Sequence, residues 1–196
     1  MITEPKIEDR NDQHYVGIRT QVTMQELGTL LPPLWGEVYG WLANKGLKPT
    51  GAPLWRYRVI DMAAKLEIDV GVPVATPVTA ENRITADTLP AGRYATIVYT
   101  GPYEGLMQAT ADLLAWAQKI GIVWDKWAAG SRAEGWRARI EHYLTDPREE
   151  SNSANGKQSW RSSWRMIKAR VENRRIYNVL PCGHRSRSDS LRCLTC

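Results

Sequence analysis

The residues best suited to chemistry gather around Glu141. It lies in a strand-like segment between Ile140 and His142, with Trp127, Trp136 and Tyr143 close by in the chain. A carboxylate in an aromatic-lined cleft is a receptor for a lipophilic cation. Each ring adds about 0.5–2 kcal/mol of cation–π attraction, and a buried charge needs an opposite charge beside it. The same carboxylate, desolvated, can act as a general acid or base, which makes Glu141 the catalytic candidate if the chain is an enzyme. The alternative is a solvated strand glutamate paired with Arg137 or Arg139. Tyr57 and Tyr94, with Trp127, Trp136 and Tyr143, are the candidate ligand-binding walls. Core packing is the competing role for such rings in a chain with nine Trp, eight Tyr and no Phe.

Two further groups compete with it. Glu67 occupies a position like that of Glu141, but Lys65 and Asp69 flank it on the same strand face, so a surface ion-pair ladder accounts for it. Cys182, His184, Cys193 and Cys196 form a Cys-x-His…Cys-x-x-Cys set with zinc-like ligands, the alternative being a basic tail without structure. No other cofactor is expected. The sequence contains no Gly-rich phosphate loop, no G-x-S-x-G and no H-E-x-x-H, and a Ser–His or Cys–His hydrolase is poorly supported.

Charge divides the chain. Residues 1–150 hold 16 Lys and Arg against 19 Asp and Glu, whereas residues 151–196 hold 10 against 2, together with all three cysteines. The expected organisation is a body over 1–150 and a basic Cys/Arg/Ser-rich tail over 151–196. An acidic body argues against nucleic-acid binding except through that tail. With no long apolar run and no basic-then-apolar start, the expectation is a cytoplasmic protein without membrane contact.

The elements that position these residues repeat. Trp41-Leu42-Ala43-Asn44-Lys45-Gly46-Leu47 is echoed by Trp116-Ala117-Gln118-Lys119-Ile120-Gly121-Ile122, and Leu66-Glu67…Pro73 by Ile140-Glu141…Pro147, at offsets of 74 to 75 residues. One supersecondary unit used twice is implied. Alternation predicts strands over 14–22, 54–60, 65–74, 84–88, 93–99 and 136–145. Helical spacing predicts helices over 24–44, interrupted at Pro32-Pro33, and 103–120. Residues 158–173, with Trp160, Trp164, Ile167 and Val171, read as a basic helix. The fold class is therefore α+β: tandem strand–helix–strand–strand modules forming one mostly antiparallel sheet, with helices on one face and a ligand groove on the other. In this reading Glu67 and Glu141 both point away from the helices.

Several of these segments carry a family resemblance. Leu34-Trp35, the strand from Tyr94 to Tyr99, Thr100-Gly101-Pro102-Tyr103 with Leu106, and Ile140-Glu141-His142-Tyr143-Leu144-Thr145-Asp146-Pro147 resemble the GyrI-like small-molecule-binding domain. That domain is also the effector-binding part of AraC- and MerR-type multidrug regulators such as Rob and BmrR. The resemblance covers about Lys6 to Glu150. It implies a duplicated fold that binds hydrophobic, often cationic compounds, with Glu141 at the position of the buried glutamate that contacts the cation. It also implies two alternatives, a hydrolase of cyclopropane-bearing cytotoxins and a partner that protects DNA gyrase. With no helix-turn-helix ahead of residue 13, a stand-alone member is expected.

Overall fold

The computed structural model describes residues 1–102, 105–145 and 158–169. In chain order the elements are β1 (Lys6–Arg10), β2 (Gln13–Val22), α1 (Leu27–Leu30), α2 (Pro32–Asn44), β3 (Leu54–Ile60), β4 (Leu66–Pro73), β5 (Thr85–Leu89), β6 (Gly92–Gly101), α3 (Leu106–Lys119), β7 (Ile122–Trp124), β8 (Lys126–Ala128), β9 (Glu134–Tyr143) and β10 (Gln158–Ala169). Pro32 opens α2 from its first turn, where a missing N–H costs nothing, so the first helical stretch divides as its prolines require. The helices end on a left-handed glycine at matching repeat positions, Gly46 with φ 66° and Gly121 with φ 68°.

The strands join in one antiparallel sheet ordered β1-β6-β10-β9-β3-β4-β2-β5, with β7 on β10 and β8 on β9. The central six read as a palindrome. In the first half, β2, α2, β3 and β4 give the order β3-β4-β2. In the second, β6, α3, β9 and β10 give β9-β10-β6. The halves meet where β3 pairs with β9, so the duplication runs strand–helix–strand–strand in both.

This arrangement corrects the expectation of a helix over 158–173. Gln158–Ala169 is a strand, paired on one side with β6 and on the other with β9. Without it two strand edges in the middle of the sheet would lie open. Satisfying both ladders outweighs a weak helical spacing of tryptophans. The sheet thus draws a central strand from beyond residue 150, where the charge pattern suggested a boundary. It also alters the repeat: β10 is the counterpart of β4, and β9 that of β3. Glu67 on β4 and Glu141 on β9 are therefore not equivalent.

Both helices cover one face. Leu31, Trp35, Val38 and Leu42 from the first half, and Leu106, Ala109 and Leu113 from the second, share one core with Val16, Ile18, Ile68, Val70, Ala95, Ile97 and Trp164. The sheet curls away from them into a half-barrel. Its concave side holds a smaller cluster of Tyr15, Leu54, Leu89, Tyr94, Ala138 and Ile140, and a cavity of about 640 Å³ is lined by His142 at the end of β9 and Arg161 near the start of β10. No helix among the described residues is long and apolar enough to cross a membrane.

Trp164 shows how firmly β10 is built in, because it is fully buried in the helix-side core. Trp164→Ala is expected to cost about 3–5 kcal/mol, read from urea unfolding of the full chain. Ending the chain at residue 150 is expected to abolish cooperative unfolding; a two-state transition from that fragment would show that β10 is dispensable.

Candidate functional site

The floor of the site is the β3–β9 ladder. Its register sets Trp55 opposite Glu141 and Tyr57 opposite Arg139, so these four side chains share a face. The first helix packs on β2 and β4 and the second on β6 and β7, leaving β3 and β9 between their footprints. Trp35 of α2 reaches over this floor. Its ring stacks on Trp55 at 5.7 Å and meets Tyr143 edge-on at 4.8 Å. Trp55 and Tyr143 are themselves 4.8 Å apart.

Glu141 lies within this aromatic ring, 6% exposed. This corrects the expectation that it points away from the helices. Alternation along β9 divides the residues as expected, but it is the set of Arg139, Glu141 and Tyr143 that turns toward the helix layer. Ala138 and Ile140, the apolar set, fill the concave cluster instead. Both sides of this sheet are buried at its centre, so apolarity alone does not say which one a helix covers.

The Glu141 carboxylate accepts hydrogen bonds from the Tyr57 hydroxyl at 3.0 Å and the Tyr143 hydroxyl at 3.5 Å. Among the described residues no ion pair reaches it. Burial raises its pKa above the ordinary value, against the opposing pull of Arg139 and the two hydroxyls. The indole Nε1 groups of Trp35 and Trp55 are buried and have no hydrogen-bond partner among the described residues. Among the described residues the wall therefore carries two indole donors with no acceptor and a carboxylate met by hydroxyls, with no direct ion pair.

Arg139, two residues before Glu141 on β9, is packed into a second aromatic cluster. Its guanidinium lies 4.1 Å from the Trp164 ring centre, 5.3 Å from Trp136 and 5.5 Å from Tyr57. Trp124 packs against Trp136 and Trp164 at 6.1 and 5.4 Å. Trp136 reaches this face because the β3–β9 register shifts between Tyr57 and Val59. Strict alternation would have placed it with Ala138; the irregularity returns it to the side of Arg139.

Of the residues expected from sequence to line the site, the structure brings Glu141, Tyr57 and Tyr143 into contact and sets Trp136 in the adjoining cluster. Tyr94 lies on the concave face, its hydroxyl donating to the Pro90 carbonyl at 2.7 Å. Trp127 is half exposed on β8, covering Gly135 with Arg137 above it. Neither approaches Glu141. Trp35, Trp55 and Arg139 were missing from the expected wall, although Trp55 could have been found by pairing β3 against β9. Glu67 keeps to the concave side, 3.9 Å from Arg19, as a strand ion pair. Cys182, His184, Cys193 and Cys196 lie outside the described residues. Among those described, no group of three or more His, Cys, Asp or Glu side chains could hold a metal.

Comparison with known proteins agrees with the geometry. The family model described as GyrI-like small molecule binding domain matches residues 3–158. No curated protein sequence matches the chain significantly. Among solved structures, the EcmrR C-terminal domain superposes with TM-score 0.65 at 18% identity, covering 84% of this chain and 98% of that one. In the EcmrR–DNA complex the score is 0.66 at 18% identity, over 83% of this chain but only 57% of the longer regulator chain. A hydrolase from Listeria innocua gives 0.57 at 14% identity, covering 83% and 91%. SAV2435 bound to tetraphenylphosphonium gives 0.51 at 13% identity, covering 84% and 94%. These likenesses are of fold.

The raised pKa of Glu141 has a defined effect on stability. The folded state holds the carboxyl above its ordinary value of 4.5. Its contribution is therefore fully present below that pH and is lost as pH rises through the folded value. Glu141→Gln is expected to melt with wild type near pH 4 and above it at pH 7, in thermal scans of the unliganded protein. Equal melting temperatures at pH 7 would mean that the carboxylate is not penalised by its surroundings.

Proposed function

Because the chain belongs to the GyrI-like small-molecule-binding domain family, we propose that its ligand is an amphipathic aromatic cation, bound over β3 and β9 with Glu141 as counter-charge. The observation that carries this is a carboxylate enclosed by Trp35, Trp55, Tyr57 and Tyr143, with hydroxyl partners and, among the described residues, no ion pair. A buried anion in that state is stabilised most by a ligand that brings a positive charge and tolerates desolvation. A delocalised organic cation does both, and the rings add dispersion and quadrupole attraction. The neighbour SAV2435 was solved with tetraphenylphosphonium, a cation of this type. Sequestration or sensing of such compounds is the role that fits.

A hydrolytic reading rests on one different observation. Burial keeps the Glu141 carboxyl above its ordinary pKa, which suits a proton donor to a strained electrophilic ring. Turnover separates the two readings.

Tetraphenylphosphonium titrated into the full chain is expected to quench tryptophan fluorescence saturably. Glu141→Gln is expected to weaken binding about tenfold or more, corresponding to about 1.4 kcal/mol. The cation pairs with the ionised carboxylate, so wild-type affinity rises with pH through the folded pKa and then levels, while the Gln variant stays flat. Indifference to both the substitution and pH would overturn the counter-charge. Cyclopropane-bearing electrophiles recovered after incubation and weighed by mass spectrometry are expected intact; a water adduct absent from the Gln variant would assign hydrolysis instead.

A further inference from the structure

We propose that the concave face carries a second ligand site, separate from Glu141, in which Arg161 and His142 receive the carboxylate of a small organic acid. The two residues are cross-strand partners, Arg161 on β10 opposite His142 on β9. Both line a cavity of about 640 Å³, and alternation along β9 turns His142 to the same face as Ala138 and Ile140. That volume falls within the range of small-molecule pockets and well above what a lone inorganic ion needs.

The side chains of this cavity are unequally satisfied. Glu8 is engaged by Arg10 at 3.1 Å and Lys6 at 2.6 Å, and Asp12 accepts a hydrogen bond from the Ala91 backbone N–H. Arg10 has its carboxylate in Glu8 and its aromatic face in Tyr94. Arg161 has neither a hydrogen bond nor an ion pair among the described residues. His142 is only 8% exposed, and its Nε2 has no hydrogen-bond partner among the described residues. A buried ring nitrogen without a partner is a costly feature that a bound group would repair. Burial, with Arg10 and Arg161 nearby, pushes the imidazole down to about 3, so the ring is neutral and offers a single N–H.

This pair selects a planar monoanion. A guanidinium offers a fork of donors that a carboxylate matches with two oxygens, and the imidazole N–H adds a third donor. A doubly charged phosphate would meet Glu8 and Asp12 across the same cavity. Ala52, Ala75 and Leu144 give the organic part of the acid an apolar wall. The site shares no side chain with the Glu141 floor, because adjacent residues of β9 face opposite ways.

The test uses the full chain with benzoate, neutral benzamide and inorganic phosphate, by saturation-transfer NMR and calorimetry. Benzoate is expected to bind, and benzamide and phosphate to bind about tenfold more weakly or not at all. Arg161→Gln is expected to weaken benzoate about tenfold or more. Ala52→Trp, which fills the cavity and leaves both recognition groups in place, is expected to block it. Glu141→Gln is expected to leave it unchanged while weakening tetraphenylphosphonium. No benzoate binding at about 1 mM by folded wild type, phosphate binding better than benzoate, binding unmoved by Arg161→Gln and Ala52→Trp, or loss in Glu141→Gln would each overturn the proposal.

Discussion

The pairing of β3 with β9 is the contact on which the rest of the molecule depends. It joins the two halves of the duplication and fixes which residues meet across it. Trp55 faces Glu141 and Tyr57 faces Arg139 because of this register alone. A slip of one residue would turn Glu141 onto the concave side and Ile140 toward the helices, reversing both cores at once. Burial on both faces makes such a slip expensive, so the register is strongly specified. The aromatic floor is thus a product of main-chain hydrogen bonding, with Trp35 of α2 added from above.

The two faces treat buried charge differently. On the concave side Asp69 is fully buried and saturated, accepting from Tyr15 at 2.5 Å, Arg19 at 2.8 Å and Arg58 at 2.5 Å. Arg56 adds bonds to the Tyr15 hydroxyl and the Arg137 carbonyl. Such a network leaves nothing for a ligand to complete and serves to pin β2, β3 and β4. On the helix side the Glu141 carboxylate is met by phenols, and the Arg139 guanidinium by indole faces. Both carry unspent electrostatic capacity, which the Asp69 network lacks, so a small molecule has something to gain beside Glu141 and nothing beside Asp69.

Much of this was readable in the chain. Strand and helix periods located β2, β3, β4, β6, α2, α3 and β9, and the Trp…Gly repeats revealed the duplication. Glu141, Tyr57 and Tyr143 were identifiable as partners in kind. Three things were not readable, each for a physical reason. The face of Glu141 depends on which of two apolar layers a helix occupies, and alternation is blind to that choice. Trp136 changes sides through an irregularity in the ladder that leaves no mark in the residue types. β10 is a strand because β6 and β9 both need a neighbour, a demand set by residues far away in the chain. The same long-range demand misaligned Glu67 with Glu141, since the second module's last strand follows a long connection.

The position of β10 also sets an order of events. The first module is self-contained by residue 73, and its three strands can pair as soon as they are made. In the second, β6 and β9 are synthesised before the strand that belongs between them. Until β10 arrives, each holds an open edge, the kind of surface that recruits foreign strands. The molecule therefore closes from its middle, late, by inserting its last described strand between two waiting ones. Contacts of such long sequence separation slow folding, and the vulnerable interval lies in the half that contributes Glu141.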